Sequence, residues 1–180
     1  MLNAVFVIGL VIFGISSVYF YMTGTKKRGL NAAFLVSFIT LISYVLMQQG
    51  KLTVETDAGQ PIFWTRWIFY GLSCTLLMVE IAQLKRVQGG ELAHWIYLTA
   101  IVMLTGFLAA RDRTGLRWIH FILSSAAYVL LLLRVLSVKT QGARWVHNYI
   151  WFGWTVFPIV FLLAPTGLGW FGAGLTNLLY

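Results

Sequence analysis

The chain has 180 residues, of which 59% are hydrophobic, 16% aromatic and only 10% charged. Roughly a quarter of the residues in a soluble domain are charged, so this composition excludes an ordinary soluble globule and indicates an integral membrane protein. The net charge of +8 does not predict nucleic-acid binding, because no Lys/Arg cluster alternates with exposed aromatic residues. A single cysteine, Cys74, excludes a disulfide framework and a cysteine-pair metal site.

Apolar runs separated by polar or glycine-containing segments predict six complete membrane-spanning helices. In chain order they are helix A at 4–21, B at 31–48, C at 61–84, D at 92–110, E at 116–136 and F at 146–164. A last apolar piece, 170–180, is too short to cross a hydrocarbon layer of about 30 Å, and we interpret it as the first part of a seventh helix of a longer natural chain. We expect residues 1–180 to form a single transmembrane helical domain.

The loop charges predict the orientation of the chain in the cell membrane. The loops between A and B, C and D, and E and F carry +3, +1 and +3, whereas the two alternate loops carry −1 and +2. Because cytoplasmic loops hold the excess of Lys and Arg, we expect a multi-pass plasma-membrane protein with an extracytoplasmic N-terminus. Most of the basic excess is then a topology signal.

Helix C contains two charged residues well within a predicted span, Arg66 and Glu80. They are 14 residues apart, or roughly 21 Å along a helix axis, so they cannot pair directly. With Tyr70, Ser73 and Leu77 they recur at helical spacing and predict one polar seam. Two interpretations remain: the charged ends extend to the two bilayer surfaces, or the seam lines a polar pathway or an enclosed ligand pocket.

Helix F carries an aromatic stripe of Trp154, Phe157 and Phe161 beside Pro158, which permits a kink. Such a stripe is typical of helix packing and also of a cofactor pocket. The histidines do not predict a metal or haem site, because each lies near the end of a different helix without a partner at ligand spacing. They are His94, His120 and His147.

The stretch Trp64-Thr65-Arg66-Trp67, followed by Glu80 fourteen residues after the arginine, resembles the third helix of the microbial rhodopsins. The similarity covers essentially the whole chain, and it is closest to the bacterial sensory and xenorhodopsin-like members. Further matching positions are Tyr44, Thr105, Gly106, Arg117, Ser124, Ser125, Trp154, Phe157 and Pro158.

This resemblance implies a seven-helix bundle that encloses all-trans retinal, bound as a Schiff base to a lysine in the seventh helix. Arg66 would be the gating arginine on the outer side, and Glu80 would occupy the cytoplasmic proton-donor position. The residues implied to line the retinal are Tyr70, Ser73, Cys74, Leu77, Thr105, Gly106, Ser125, Tyr128, Trp154, Phe157 and Phe161.

Two departures from the family pattern change the expected function. Phe69 stands three residues after the arginine, where the family carries the carboxylate that serves as counterion and proton acceptor. The retinal lysine is absent from residues 1–180, because all five lysines lie in loops or at membrane borders; by the family spacing it would lie about two turns beyond Tyr180. Covalent attachment of retinal is therefore not available within residues 1–180.

These observations predict a photoreceptor or an atypical light-driven ion transporter if the lysine follows residue 180, and they disfavour a standard outward proton pump. The alternative is a lysine-less opsin relative with a structural, partner-binding or noncovalent-ligand role. A membrane enzyme or haem-binding electron carrier is disfavoured, and no metal is predicted. The expected partners are the lipid bilayer, further copies of the chain in a trimer or pentamer, and a membrane signalling protein; nucleic acid is not expected.

Overall fold

The computed structural model describes residues 2–24, 31–55, 61–138 and 148–179. Seven α-helices and one short hairpin account for most of these residues. The helices are α1 (Leu2–Gly24), α2 (Ala32–Gln48), α3 (Thr65–Leu84), α4 (Gly89–Arg111), α5 (Leu116–Ser137), α6 (Trp154–Leu163) and α7 (Ala173–Leu179). A π-helical turn, Tyr149–Gly153, leads directly into α6.

The predicted helices A to G are confirmed in order as α1 to α7. Some predicted features lie outside the described residues. They are the basic loop residues Lys26, Lys27, Arg28, Lys139 and Arg144, the first two residues of predicted helix F, and Tyr180.

Four described helices are long and apolar enough to cross a membrane: Ala4–Gly24, Thr65–Leu84, Gly89–Arg111 and Leu116–Ser137. Two shorter apolar segments, Ala32–Gln48 and Tyr149–Leu163, accompany them. Large apolar side chains point outward, including Ile15 of α1 at 66% exposure and Ile122 of α5 at 64%. Such a surface is stable only against lipid, so the chain is a multi-pass membrane protein.

The prediction that helix C begins at residue 61 is wrong. Residues Pro61–Phe63 form strand β2, which pairs antiparallel with β1 (Thr53–Glu55), and α3 begins only at Thr65. The buried Thr65 hydroxyl lies 2.9 and 3.2 Å from the main-chain carbonyl oxygens of Lys51 and Leu52 and shares its one proton between them, which fixes the start of α3 against the hairpin. We call this end of the bundle the hairpin end and the opposite end the α3–α4 end.

Helices α1 and α2 pack closely around Tyr44, which is 6% exposed. The rings of Phe6 and Phe13 lie 6.2 and 5.3 Å from it. A Cβ built on Gly9 would lie 2.0 Å from Tyr44 Cε1, so the contact exists because residue 9 has no side chain.

At the α3–α4 end, polar contacts join α3, α4 and α5. The buried Lys85 ammonium donates to the carbonyls of Val135 and Val138, both at 2.8 Å, and so caps the end of α5. Burial lowers the pKa of this ammonium. Glu91 accepts from the Trp95 indole N–H with one carboxylate oxygen and pairs with Arg134 through the other, each at 2.9 Å. These three helices are therefore tied together at one end.

Candidate functional site

A cavity lies among α3, α4, α5 and α6, with about 750 Å³ of atom-free space that is partly open to the surroundings. Its surface is almost entirely apolar, as is typical of the pockets that bind small molecules. The lining residues are Arg66, Trp67, Tyr70 and Cys74 of α3; Val102, Met103 and Gly106 of α4; Phe121, Ser124, Ser125 and Tyr128 of α5; and Trp154, Phe157, Pro158 and Phe161 of α6.

The structure brings most of the predicted pocket residues to this one cavity. Those in the lining are Tyr70, Cys74, Gly106, Ser125, Tyr128, Trp154, Phe157 and Phe161. Ser73, Leu77 and Thr105 lie outside the lining. Ser73 is buried, Leu77 packs against the core between α3 and α5, and the Thr105 hydroxyl donates to the carbonyl of Ile101.

Several lining residues were not predicted as such: Trp67, Val102, Met103, Phe121, Ser124 and Pro158. Helical spacing could have identified some of them, because Val102 and Met103 precede Gly106 by four and three residues, and Phe121 precedes Ser125 by four. Once one residue of a helix faces a cavity, its neighbours at these spacings face it too.

Aromatic rings close the cavity toward the hairpin end. Phe161, which is 4% exposed, stacks on Phe121 with a centroid separation of 5.1 Å and an interplanar angle of 9°. It also meets the edge of Trp67 at 6.2 Å. Farther along, the rings of Tyr70 and Phe157 meet edge to face with a centroid separation of 6.2 Å. Rings at these distances make a rigid apolar wall.

Gly106 is necessary for the position of Trp67. A Cβ on residue 106 would lie 2.5 Å from Trp67 Cζ3, far inside van der Waals contact. The space left by the absent side chain is therefore filled by an indole ring that forms part of the cavity wall.

Arg66 lies between this cavity and a second one. It is 5% exposed, and its Nη2 donates to Met47 Sδ at 3.6 Å. The side chain is therefore held inside the protein. The second cavity has about 440 Å³ of atom-free space and is lined by Pro61, Phe63, Arg66, Trp67, Ala110, Phe161, Ala164, Pro165, Thr166, Ala173 and Thr176.

Phe69 and Glu80 are both half-buried and lie outside the cavity lining. Among the described lining residues none is a carboxylate, and Arg66 carries the only formal charge. The interior of the cavity therefore has a cation at one end and an apolar surface elsewhere.

Two hydroxyl groups of the cavity wall are engaged within the protein. Ser124 donates to the carbonyl of Val102 at 2.9 Å, and the Tyr128 hydroxyl lies 2.7 Å from the Thr155 hydroxyl. Because these groups bond to protein atoms, the cavity favours an apolar ligand. In the described part of the chain, no three His, Cys, Asp or Glu residues come together as a metal site.

Comparison with known proteins gives one consistent family. A model of the bacteriorhodopsin-like proteins matches residues 1–180. Sensory rhodopsin-2 of Haloarcula vallismortis is 23% identical over 157 aligned positions, which cover 81% of this chain and 66% of that protein. Bacteriorhodopsin of Halobacterium salinarum is 24% identical over 194 positions, covering 96% and 74%. The chain thus spans about two thirds to three quarters of the length of these relatives.

Solved structures share the fold. The crystal structure of schizorhodopsin 4 superposes with a TM-score of 0.94 at 34% identity, covering 100% of this chain and 90% of that one. Halorhodopsin, described as a light-driven chloride pump, superposes with a TM-score of 0.85 at 23% identity, covering 99% and 86%. At that lower identity the likeness concerns the fold alone.

Proposed function

Because the chain belongs to the bacteriorhodopsin-like family, we propose that the cavity among α3, α4, α5 and α6 is a retinal pocket, and that the protein is a light-activated photoreceptor or ion transporter. The observation that carries the proposal is the apolar, aromatic cavity that these four helices enclose at the centre of a membrane bundle. Its surface fits an extended hydrocarbon, because it offers rings and aliphatic groups and hardly any exposed polar atoms.

Each wall has a distinct part in holding the polyene. Trp154 and Phe157 of α6 would pack on one side and Tyr70 and Cys74 of α3 on the other, while Tyr128 contributes from α5. When bound, retinal supplies a double bond that isomerises on absorbing light. The aromatic walls exclude water from it and fix its orientation.

Proton transfer in this pocket cannot use the side chain at position 69. Phe69 has no acidic group, and among the described lining residues no carboxylate replaces it. A proton released inside the pocket therefore lacks the acceptor that a standard outward pump uses. We assign Arg66 and Glu80 to a polar pathway along α3, with Arg66 toward the hairpin end and Glu80 toward the α3–α4 end.

The topology and partners follow from the same proposal. The loop charges favour an extracytoplasmic N-terminus, which places the hairpin end outside the cell and the α3–α4 end in the cytoplasm. Because one relative is a sensory rhodopsin, the proposal includes a membrane signalling partner, and ion transport is the other role that membership of this family suggests. The exposed apolar faces of the helices would also allow copies of the chain to associate as a trimer or pentamer.

A noncovalent ligand is the second candidate. The described lysines, Lys51 and Lys85, lie outside the cavity lining, so the described walls offer no amine for a Schiff base. If the natural chain carries a lysine beyond residue 180, that lysine would form the Schiff base. If that chain has none, the pocket would hold an apolar ligand by packing alone.

The test is to add all-trans retinal to the purified natural chain and record its visible spectrum before and after hydroxylamine. We expect a visible band that hydroxylamine bleaches, because bleaching requires a Schiff base. Trp154→Ala, which removes a buried cavity wall, should weaken the band, whereas Trp170→Ala, at a residue that is 75% exposed, should not. A natural chain that forms no such band would contradict the photoreceptor or transporter function, and a band that hydroxylamine cannot bleach would support the noncovalent candidate.

A second measurement addresses the missing acceptor. Illuminated cells that contain the pigment should not acidify their medium through outward proton transport. Acidification that disappears when the membrane is made permeable to protons would show that another group replaces the carboxylate absent at Phe69.

A further inference from the structure

Two hydrogen bonds run in series from the cavity wall into the start of α6. The Tyr128 hydroxyl of α5 lies 2.7 Å from the Thr155 hydroxyl of α6, and the Thr155 hydroxyl donates to the main-chain carbonyl of Trp151. A threonine hydroxyl has a single proton, and here the carbonyl receives it. The Tyr128 hydroxyl must therefore be the donor to Thr155, which gives the series one direction.

This series ends in the π-helical turn Tyr149–Gly153, because Trp151 is its central residue. A π turn is a rare conformation that holds one more residue than an α-helical turn and is frequently found at functional sites. The hydroxyl of Thr155 contacts this turn from the first turn of α6. The turn is immediately followed by Trp154, which lines the cavity and is 8% exposed.

Tyr128 connects the two features, since it is also 8% exposed and also lines the cavity. Its ring contributes to the wall, while its hydroxyl holds the segment that positions Trp154. A displacement of the Tyr128 ring therefore acts directly on the hydrogen bond to Thr155.

We propose that Tyr128 and Thr155 are positioning residues: their hydrogen bonds hold the π turn and thereby set the place of Trp154 in the cavity wall. A shape change of the cavity occupant that displaces Tyr128 or Trp154 breaks the series and releases the π turn. Relaxation of the turn to an α-helix removes one residue from the register and rotates the preceding segment by about 100° relative to α6. This second step rests on the proposed function; the first does not.

The positioning role is tested without any ligand, by hydrogen exchange of backbone amides in the full natural chain in lipid nanodiscs. Tyr128→Phe and Thr155→Val each remove one hydroxyl, and we expect exchange across residues 151–155 to become about fivefold faster, which is the effect of losing one ordinary hydrogen bond. Thr155→Ser keeps a hydroxyl at the same place and should restore slow exchange.

Thr40→Val is the matched control. The Thr40 hydroxyl makes the same kind of bond, to the carbonyl of Val36 at 2.8 Å, but in α2 and away from the cavity. We expect it to leave exchange at 151–155 unchanged. If Tyr128→Phe also leaves exchange there unchanged, or raises it equally throughout α4 and α5, the positioning role is overturned.

The light-dependent step is tested on the same protein with retinal added. Illumination should speed exchange across 149–155 in the wild type, and Tyr128→Phe should show a smaller difference because its turn is already loosened in the dark. A pigment whose exchange in this segment is insensitive to light overturns the coupling. If no pigment forms, the proposed function and the coupling both fail, while the ligand-free measurement still decides the role of Tyr128 and Thr155.

Discussion

Replacing Gly106 by alanine should push Trp67 out of its place in the cavity wall. The added Cβ would lie 2.5 Å from Trp67 Cζ3 and 3.1 Å from Cη2, whereas carbon atoms pack best at about 3.5–4.0 Å. The indole must therefore move by about 1 Å. Its edge already meets Phe161 on one side, so the open direction is into a cavity.

The cost of this overpacking is typically about 1–3 kcal/mol, and the higher helix propensity of alanine offsets up to about 1 kcal/mol. We therefore expect Gly106→Ala to lose roughly 1–2 kcal/mol of stability and to reduce retinal uptake. Thermal unfolding and the yield of the visible band measure these two effects. Gly71→Ala is the control, because its Cβ would make an ordinary 3.9 Å contact with Met103. If Gly106→Ala matches this control in both measurements, Trp67 is not held by the absence of a side chain at 106.

Three further predictions concern regions outside the cavity. Gly9→Ala should separate α1 from α2 by forcing Tyr44 away, and thermal unfolding should show a free energy of unfolding lower by about 1–3 kcal/mol. Gly14→Ala is the control, because no atom lies within 4 Å of its new Cβ, and it should be neutral or stabilising. Lys85→Met should cost about 1–3 kcal/mol because it leaves two carbonyls at the end of α5 without their donor; unchanged stability would mean that water or lipid replaces the ammonium. The Asp112 carboxylate accepts hydrogen bonds from the backbone N–H and the hydroxyl of Thr114, and these bonds hold its pKa below the usual range. Its contribution to stability should therefore be present above about pH 4 and be lost as the pH falls through the lowered pKa. When unfolding is followed from pH 6 downward, Asp112→Asn should lose less stability than the wild type.

The helices were predictable from the sequence because a membrane span needs about 20 apolar residues, and such runs are visible without any partner. The hairpin was not. Its strands have three residues each, and Pro61–Phe63 continues without interruption into the apolar run of α3. Pairing with Thr53–Glu55 decides the conformation, and that contact is not a property of either segment alone.

The cavity face of α3 shows which lining residues helical spacing can predict and which it cannot. Arg66, Tyr70 and Cys74 follow each other by four residues and line the cavity. The predicted seam instead continued through Ser73 and Leu77, which lie outside the lining although both fall within about 20° of Arg66 around the helix axis, so helical spacing alone does not separate them from the lining residues. On α4, Val102 and Met103 were missed because aliphatic side chains in a membrane helix carry no chemical sign of which way they face.

The polar contacts at the α3–α4 end join three of the four helices that line the cavity. Lys85, Glu91 and Arg134 join three of the four walls of the cavity into one frame, with bonds that do not involve α6. The fourth wall, α6, contacts this frame beside the cavity itself, through the bond between Tyr128 and Thr155 and through the rings of Phe157 and Phe161. A change in the shape of the cavity therefore acts directly on the contacts of α6, whereas the polar contacts of the other three walls lie at the α3–α4 end.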